Sequence, residues 1–141
     1  DMAMTEVFKL IPKKSIEEIE KDLLIAVETF NKNGFTHIRD LSCNKNVWEI
    51  AKKLEAKNLL KLHVDCFFEC EDPQKLDKVI CLAEEAKKEE SELLKVGGVK
   101  IYYDGALGSE GALLSENYSQ TDKNGFRIYS TKKLKEIIIE G

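Results

Sequence analysis

The feature that most constrains this chain is the order of its amphipathic stripes. Helix-like stripes and short strand-like runs alternate, and no two strand-like runs follow one another directly. The first stripe opens at Ser15-Ile16-Glu17-Glu18, just after Pro12, with serine at the cap and glutamate three positions on, a capping box. Apolar residues then recur at Ile16, Ile19, Leu23, Ala26, Val27 and Phe30, one helical face, and Gly34 stands where that helix should stop. Phe35–Leu41 reads as a strand. Ser42–Asn46 reads as a loop ending in a helix cap, followed by a second helical stripe through Val47, Trp48, Ala51 and Leu54 with its exit at Leu59. Leu60–Phe68 alternates like a strand. Asp72-Pro73 is a cap with proline at the first helical position, and it opens a third stripe through Leu76, Val79, Ile80, Ala83 and Ala86. Val99–Tyr103 reads as a third strand and Gly105–Gly125 as a long polar loop. Ser130 caps a last helix bearing Leu134, Ile137 and Ile138.

Strands separated by helices must pair in parallel, because a tight hairpin cannot join them. The predicted fold class is therefore α/β. Three strands are too few to close a barrel, which needs eight.

Composition narrows the function classes. The 141 residues are 43% hydrophobic and 34% charged, the balance of an ordinary globular domain. Lys and Arg number 22 against 26 Asp and Glu, a net charge of −4, and the two signs interleave. No basic stripe offers itself to nucleic acid or to an anionic membrane surface. No apolar run approaches the roughly 18 residues that read as a membrane span. Asp1–Glu6 lacks the basic and apolar regions of a signal peptide, so the expected location is cytoplasmic. Cys43, Cys66, Cys70 and Cys81 are then expected to be thiols. The last apolar stripe, Ile137-Ile138-Ile139, stops after little more than two turns, as an internal piece of a larger domain would.

In parallel α/β folds, sites form on the loops that follow the C-terminal ends of strands. Three places qualify: Arg39-Asp40 through Asn44, Phe68-Glu69-Cys70-Glu71, and Asp104 through Ser109. The third is the most informative. A strand running into Asp-Gly-x-x-Gly-Ser brings a carboxylate, a hydroxyl and glycines that let a ligand approach the backbone. Lys100 lies in that strand between Val99 and Ile101. A strand lysine can snorkel to the sheet edge. It can also react with carbon dioxide to give a carbamate, an anionic donor able to bridge two metal ions that activate a water. Other motifs are weaker. Cys66-x-x-x-Cys70 lacks the second ligand pair of a zinc site, and Gly105, Gly108 and Gly111 do not have phosphate-loop spacing. Trp48 has core spacing, and His63 reads as structural.

The run Val99-Lys100-Ile101-Tyr102-Tyr103-Asp104-Gly105-Ala106-Leu107-Gly108-Ser109, with Gly111-Ala112-Leu113-Leu114 and Tyr118-Ser119 after it, resembles the signature of one branch of the amidohydrolase superfamily. That branch holds proteins similar to N-substituted formamide deformylase and related metal-dependent hydrolases. Gly34-Phe35-Thr36-His37-Ile38-Arg39-Asp40 is similar to the branch's second-strand motif.

The resemblance implies a partial (β/α)8 TIM barrel. Residues 1–141 would be a fragment of its catalytic domain, about three parallel β/α units, the second to the fourth. It implies that Lys100, as a carbamate, is a metal ligand in the intact parent, with Asp104 and Ser109 on the substrate side; Asp40, at the end of its strand, is by its position a further expected substrate contact. It implies a divalent metal in the parent, zinc being the expected ion, and a small-molecule substrate with an amide or other C–N bond. The family's His-x-His pair is missing, since His37 and His63 are the only histidines. This chain alone is therefore expected to bind no metal, to be inactive and to self-associate through open barrel edges as a homo-oligomer. The competing expectation is a non-enzymatic, degenerate α/β module that self-associates.

Overall fold

A computed structural model describes residues 7–140, with the side chains of 139 and 140 left out. The signal-peptide reading of Asp1–Glu6 and the final Gly141 fall outside the described residues. The elements that build the sheet and its helices are, in order, α1 (Ile16–Lys32), β1 (His37–Cys43), α2 (Lys45–Ala56), β2 (His63–Cys70), α3 (Leu76–Lys87), β3 (Leu94–Ile101) and α4 (Thr131–Glu140). The strands form one parallel sheet in the order β1-β2-β3, so β1 and β3 are its edges.

Local chemistry explains where the helices start. Ser15 and Glu18 close the capping box reciprocally at the head of α1. Behind α1, Asn33 caps the end and Gly34 takes φ +82°, a left-handed turn that suits glycine. Asn44 caps α2 by accepting from the N–H groups of Asn46 and Val47, two residues ahead of the cap expected at Asn46. Asp72 caps as expected, but Pro73–Lys75 forms a 3₁₀ turn and α3 begins only at Leu76. Ser130 accepts from the Lys133 N–H and opens α4.

The core lies between the helices and one face of the sheet. Val64, Cys66 and Phe68 of β2 and Leu94 of β3 are buried against Trp48, Ile50, Ala51 and Leu54 of α2, Val27 of α1, and Ala83 and Ala86 of α3. Along β2 burial alternates, with Asp65, Phe67 and Glu69 half-buried between fully buried neighbours. These intervening residues define a second face that the described helices do not cover.

The expected third strand needs correction. The sequence pattern puts it at Val99–Tyr103, whereas β3 runs from Leu94 to Ile101. Leu94, Lys95 and Val96 pair with Val64, Asp65 and Cys66, and the register then slips so that Gly98 pairs with Phe67. Gly97 is the extra residue, a β-bulge inside the strand rather than its boundary. Phe67 explains the glycine, because a Cβ on Gly97 would overlap the Phe67 ring. β1 carries a similar slip between Asp40 and Cys43, which returns Cys43 to the core face opposite Phe68. The first two strands also begin and end slightly later than their apolar runs, since Leu60 and Leu62 pack in the core ahead of β2.

Candidate functional site

All three strands point their C-terminal ends the same way, so the loops after β1, β2 and β3 gather along one edge. A groove of about 340 Å³ lies along this edge between the β1 and β2 ends. Its lining includes Ser42, Asn44, Glu69, Glu71, Asp72 and Lys75. Asp72 is held well below the ordinary carboxyl range, first by the Gln74 N–H and then by Lys75, which it meets at 3.2 Å. The thiol of Cys43 at the groove floor is pushed far up by its hydrogen bond with Cys66 and by burial. Fully buried in the core, Cys43 packs there.

Lys100 pairs in register with Glu69. The alternation of β3 puts it on the face opposite Val99 and Ile101, both of which pack into the core. Its amine lies 3.5 Å from the centroid of the Tyr102 ring and donates to the Ile101 carbonyl at 3.2 Å. The Tyr102 hydroxyl in turn donates to Glu69 Oε1 at 2.5 Å. That hydrogen bond to a carboxylate raises the phenol above its usual range. Glu69, Tyr102 and Lys100 therefore form one connected group at the strand ends, and Glu69 also lines the groove.

The other expected site residues hold their own loops. Asp104 accepts from the Leu113 N–H at 2.8 Å and pairs as an isolated antiparallel bridge with Arg127. Asp40 accepts from the Ser42 N–H at 3.0 Å, and its pairing with Cys66 puts it on the core-side register of β1. Ser109 ends a 3₁₀ turn, donates to the Ala106 carbonyl at 3.3 Å, and lines a separate groove of about 490 Å³ with Glu110 and Phe126. The sequence marks the loop that begins at Phe68-Glu69 as a possible site and carries Tyr102 in the Lys100 run, but it does not link Glu69 to Tyr102 and Lys100. The signal was present: Asp65, Phe67 and Glu69 alternate on the face that later carries Lys100.

At the opposite, N-terminal edge of the sheet, His37 and His63 pair in register, with ring centroids 5.7 Å apart. His37 meets Asp65 at 3.0 Å, and His63 approaches the Glu92 carbonyl at 3.2 Å. His63 itself is exposed.

An open parallel sheet with helices on one face and its loops gathered at the strand C-termini is the layout of part of a (β/α) barrel. The model of the amidohydrolase family matches residues 1–140, and the chain belongs to that family. Two solved structures share the fold at a TM-score of 0.77. One is an uncharacterised metal-dependent hydrolase from Pyrococcus horikoshii OT3, 23% identical, and the other an uncharacterised metal-dependent hydrolase from Pyrococcus furiosus, 27% identical. Each match covers 99% of this chain and 29% of the other, so the chain spans less than a third of their length. No curated protein matches.

The family raises the question of metal. Among the described residues no three His, Cys, Asp or Glu side chains are grouped to hold an ion. The Lys100 amine donates to the Ile101 carbonyl and lies over the Tyr102 ring. These residues do not by themselves fit a metal centre. No helix is long and apolar enough to cross a membrane among the described residues.

Proposed function

We propose that the chain forms the second to fourth β/α units of the catalytic barrel of a metal-dependent hydrolase. In this reading the whole protein cleaves an amide or other C–N bond in a small molecule, and its branch is the one resembling N-substituted formamide deformylase. The observation that carries the reading is the position of Lys100. It stands on the uncovered face at the C-terminal end of its strand, within the run that resembles the branch signature. That is where barrel enzymes place functional groups. Lys100, carrying a carbamate, would then be the one metal ligand from this chain. The other ligands would come from elsewhere in the protein, and zinc is the proposed ion.

Asp104, Ser109 and Asp40 are proposed to border the substrate. Asp104 and Asp40 do so while each anchors a strand-end loop, so their effect on substrate would be exerted partly through loop position. Without the missing ligands the 141-residue chain is proposed to be inactive. It is also proposed to self-associate, because both β1 and β3 are open edges and Phe8, Leu10 and Phe35 are more than half exposed.

A panel of N-formyl amines and N-acyl amides, assayed with the full-length gene product, tests the function. Hydrolysis abolished by a chelator and restored by added zinc is the expected result. Hydrolysis indifferent to chelation, or none on any C–N substrate, would contradict it.

A further inference from the structure

We infer that Glu69 and Tyr102 are positioning residues for Lys100: Glu69 fixes the Tyr102 ring through its hydroxyl, and the ring fixes the lysine amine at the strand ends. The inference deepens the reading of Lys100 as a functional group. It concerns where the amine is held before any metal or carbon dioxide reaches it.

Three observations meet here. The parallel register sets Glu69 beside Lys100, so both side chains leave the sheet on the same face. The residue two beyond Lys100 is a tyrosine, whose ring comes to 3.5 Å from the amine. Packing covers only part of the Tyr102 side chain, which is 42% exposed. What anchors it is the 2.5 Å hydrogen bond from its hydroxyl to the Glu69 carboxylate, thirty-three residues away in sequence. A charge-assisted bond of this kind is stronger than a neutral one and directional. A phenylalanine would present the same face to the amine with no such tether. The Lys100 amine therefore has two holds: the ring on one side and the Ile101 carbonyl on the other.

The pair also joins two parts of the strand-end surface. Glu69 lines the groove between the ends of β1 and β2, and Tyr102 leads into the loop after β3. A group entering the groove and meeting Glu69 would compete with the Tyr102 hydroxyl, and so reach the position of Lys100 without touching it.

Competitive acetylation of the 141-residue chain, read lysine by lysine by mass spectrometry, tests the inference. Lys95, exposed on the same strand, is the internal reference. Tyr102→Leu removes the ring and is expected to raise Lys100 acetylation about two- to fivefold relative to Lys95, the range that a cation–π contact at a partly exposed site supports. Tyr102→Phe and Glu69→Ala each cut the tether and should give equal, smaller increases. Combining them should add nothing, because both remove one interaction. Glu69→Gln keeps an acceptor oxygen and should stay near wild type. An unchanged Lys100 rate in Tyr102→Leu overturns the inference, as does an effect of Tyr102→Leu unaccompanied by one of Glu69→Ala. Far-UV circular dichroism scores the folding of each variant, and where Tyr102→Leu unfolds, Tyr102→Phe, which retains the ring, supplies the comparison. The footprint is read without metal, so its failure leaves the ligand role of Lys100 standing, and failure of that role leaves the footprint unchanged.

Discussion

The Asp104 carboxylate accepts a hydrogen bond from the backbone N–H of Leu113, nine residues on, at 2.8 Å. Between them the loop folds back on itself, with Gly105 N–H donating to the Gly111 carbonyl and Gly111 N–H to that of Ala106. Asp104 is thus the clasp of the loop that follows β3, the loop that carries Ser109. Asp104→Ala should cost about 1.5–3 kcal/mol, the usual worth of a hydrogen bond to a charged group. Asp104→Asn keeps an acceptor oxygen and should cost less. Urea midpoints together with exchange of the Leu113 amide check this. The alanine variant should speed that exchange ahead of amides in β2.

The bulge in β3 gives a second expectation. Gly97→Ala drives a methyl group into the Phe67 ring and should destabilise the chain by about 1–3 kcal/mol, the typical cost of overpacking. Shortening the ring should relieve it. In a double-mutant cycle, Gly97→Ala combined with Phe67→Leu is expected to be more stable than the sum of the single effects. Additive effects would mean that the ring does not set the glycine.

Capping and stripe signals made most of the helical half of this fold readable. Ser15 with Glu18, Asn44 with Val47 and Ser130 with Lys133 are contacts within three residues, so local sequence carries them. The start of β3 was not readable in the same way. Gly97-Gly98 looks like a break until β2 is set beside it, and the pairing of Leu94 with Val64 is what makes the segment a strand. The candidate site divides similarly. Lys100 was visible in its own motif. Its holder Glu69 sits on another strand and is brought to it only by register. Asp104 and Asp40 were visible as carboxylates at strand ends, but their bonds to Leu113 and Ser42 follow from loop paths that spacing does not dictate.

Tyr129 predicts an alkaline dependence. It is 3% exposed, and burial, with the neighbouring Cys70 next, pushes its phenol up to about 12. The phenol is raised above its unfolded value of about 10, so folding favours the neutral form. Its contribution is complete below about pH 10 and is lost as pH rises through about 12. The stability difference between wild type and Tyr129→Phe should therefore be flat from about pH 7 to about pH 9. It should then move in favour of the phenylalanine variant by about pH 11. Urea titrations of the two proteins at those three pH values measure it.

Open edges predict self-association. β1 and β3 each leave one side of the sheet unpaired. Light scattering at roughly tens of micromolar should give a dimer or larger assembly. A strictly monomeric chain would contradict the expectation.

Metal content of the full-length gene product, wild type against Lys100→Ala, bears most directly on the reading of this chain as part of a metal-dependent hydrolase. Wild-type protein should carry stoichiometric divalent metal, and loss of the lysine should remove a substantial share of it while the fold is retained. Equal metal in both proteins, or none in the wild type after growth with zinc, would contradict the assignment of Lys100 as a ligand.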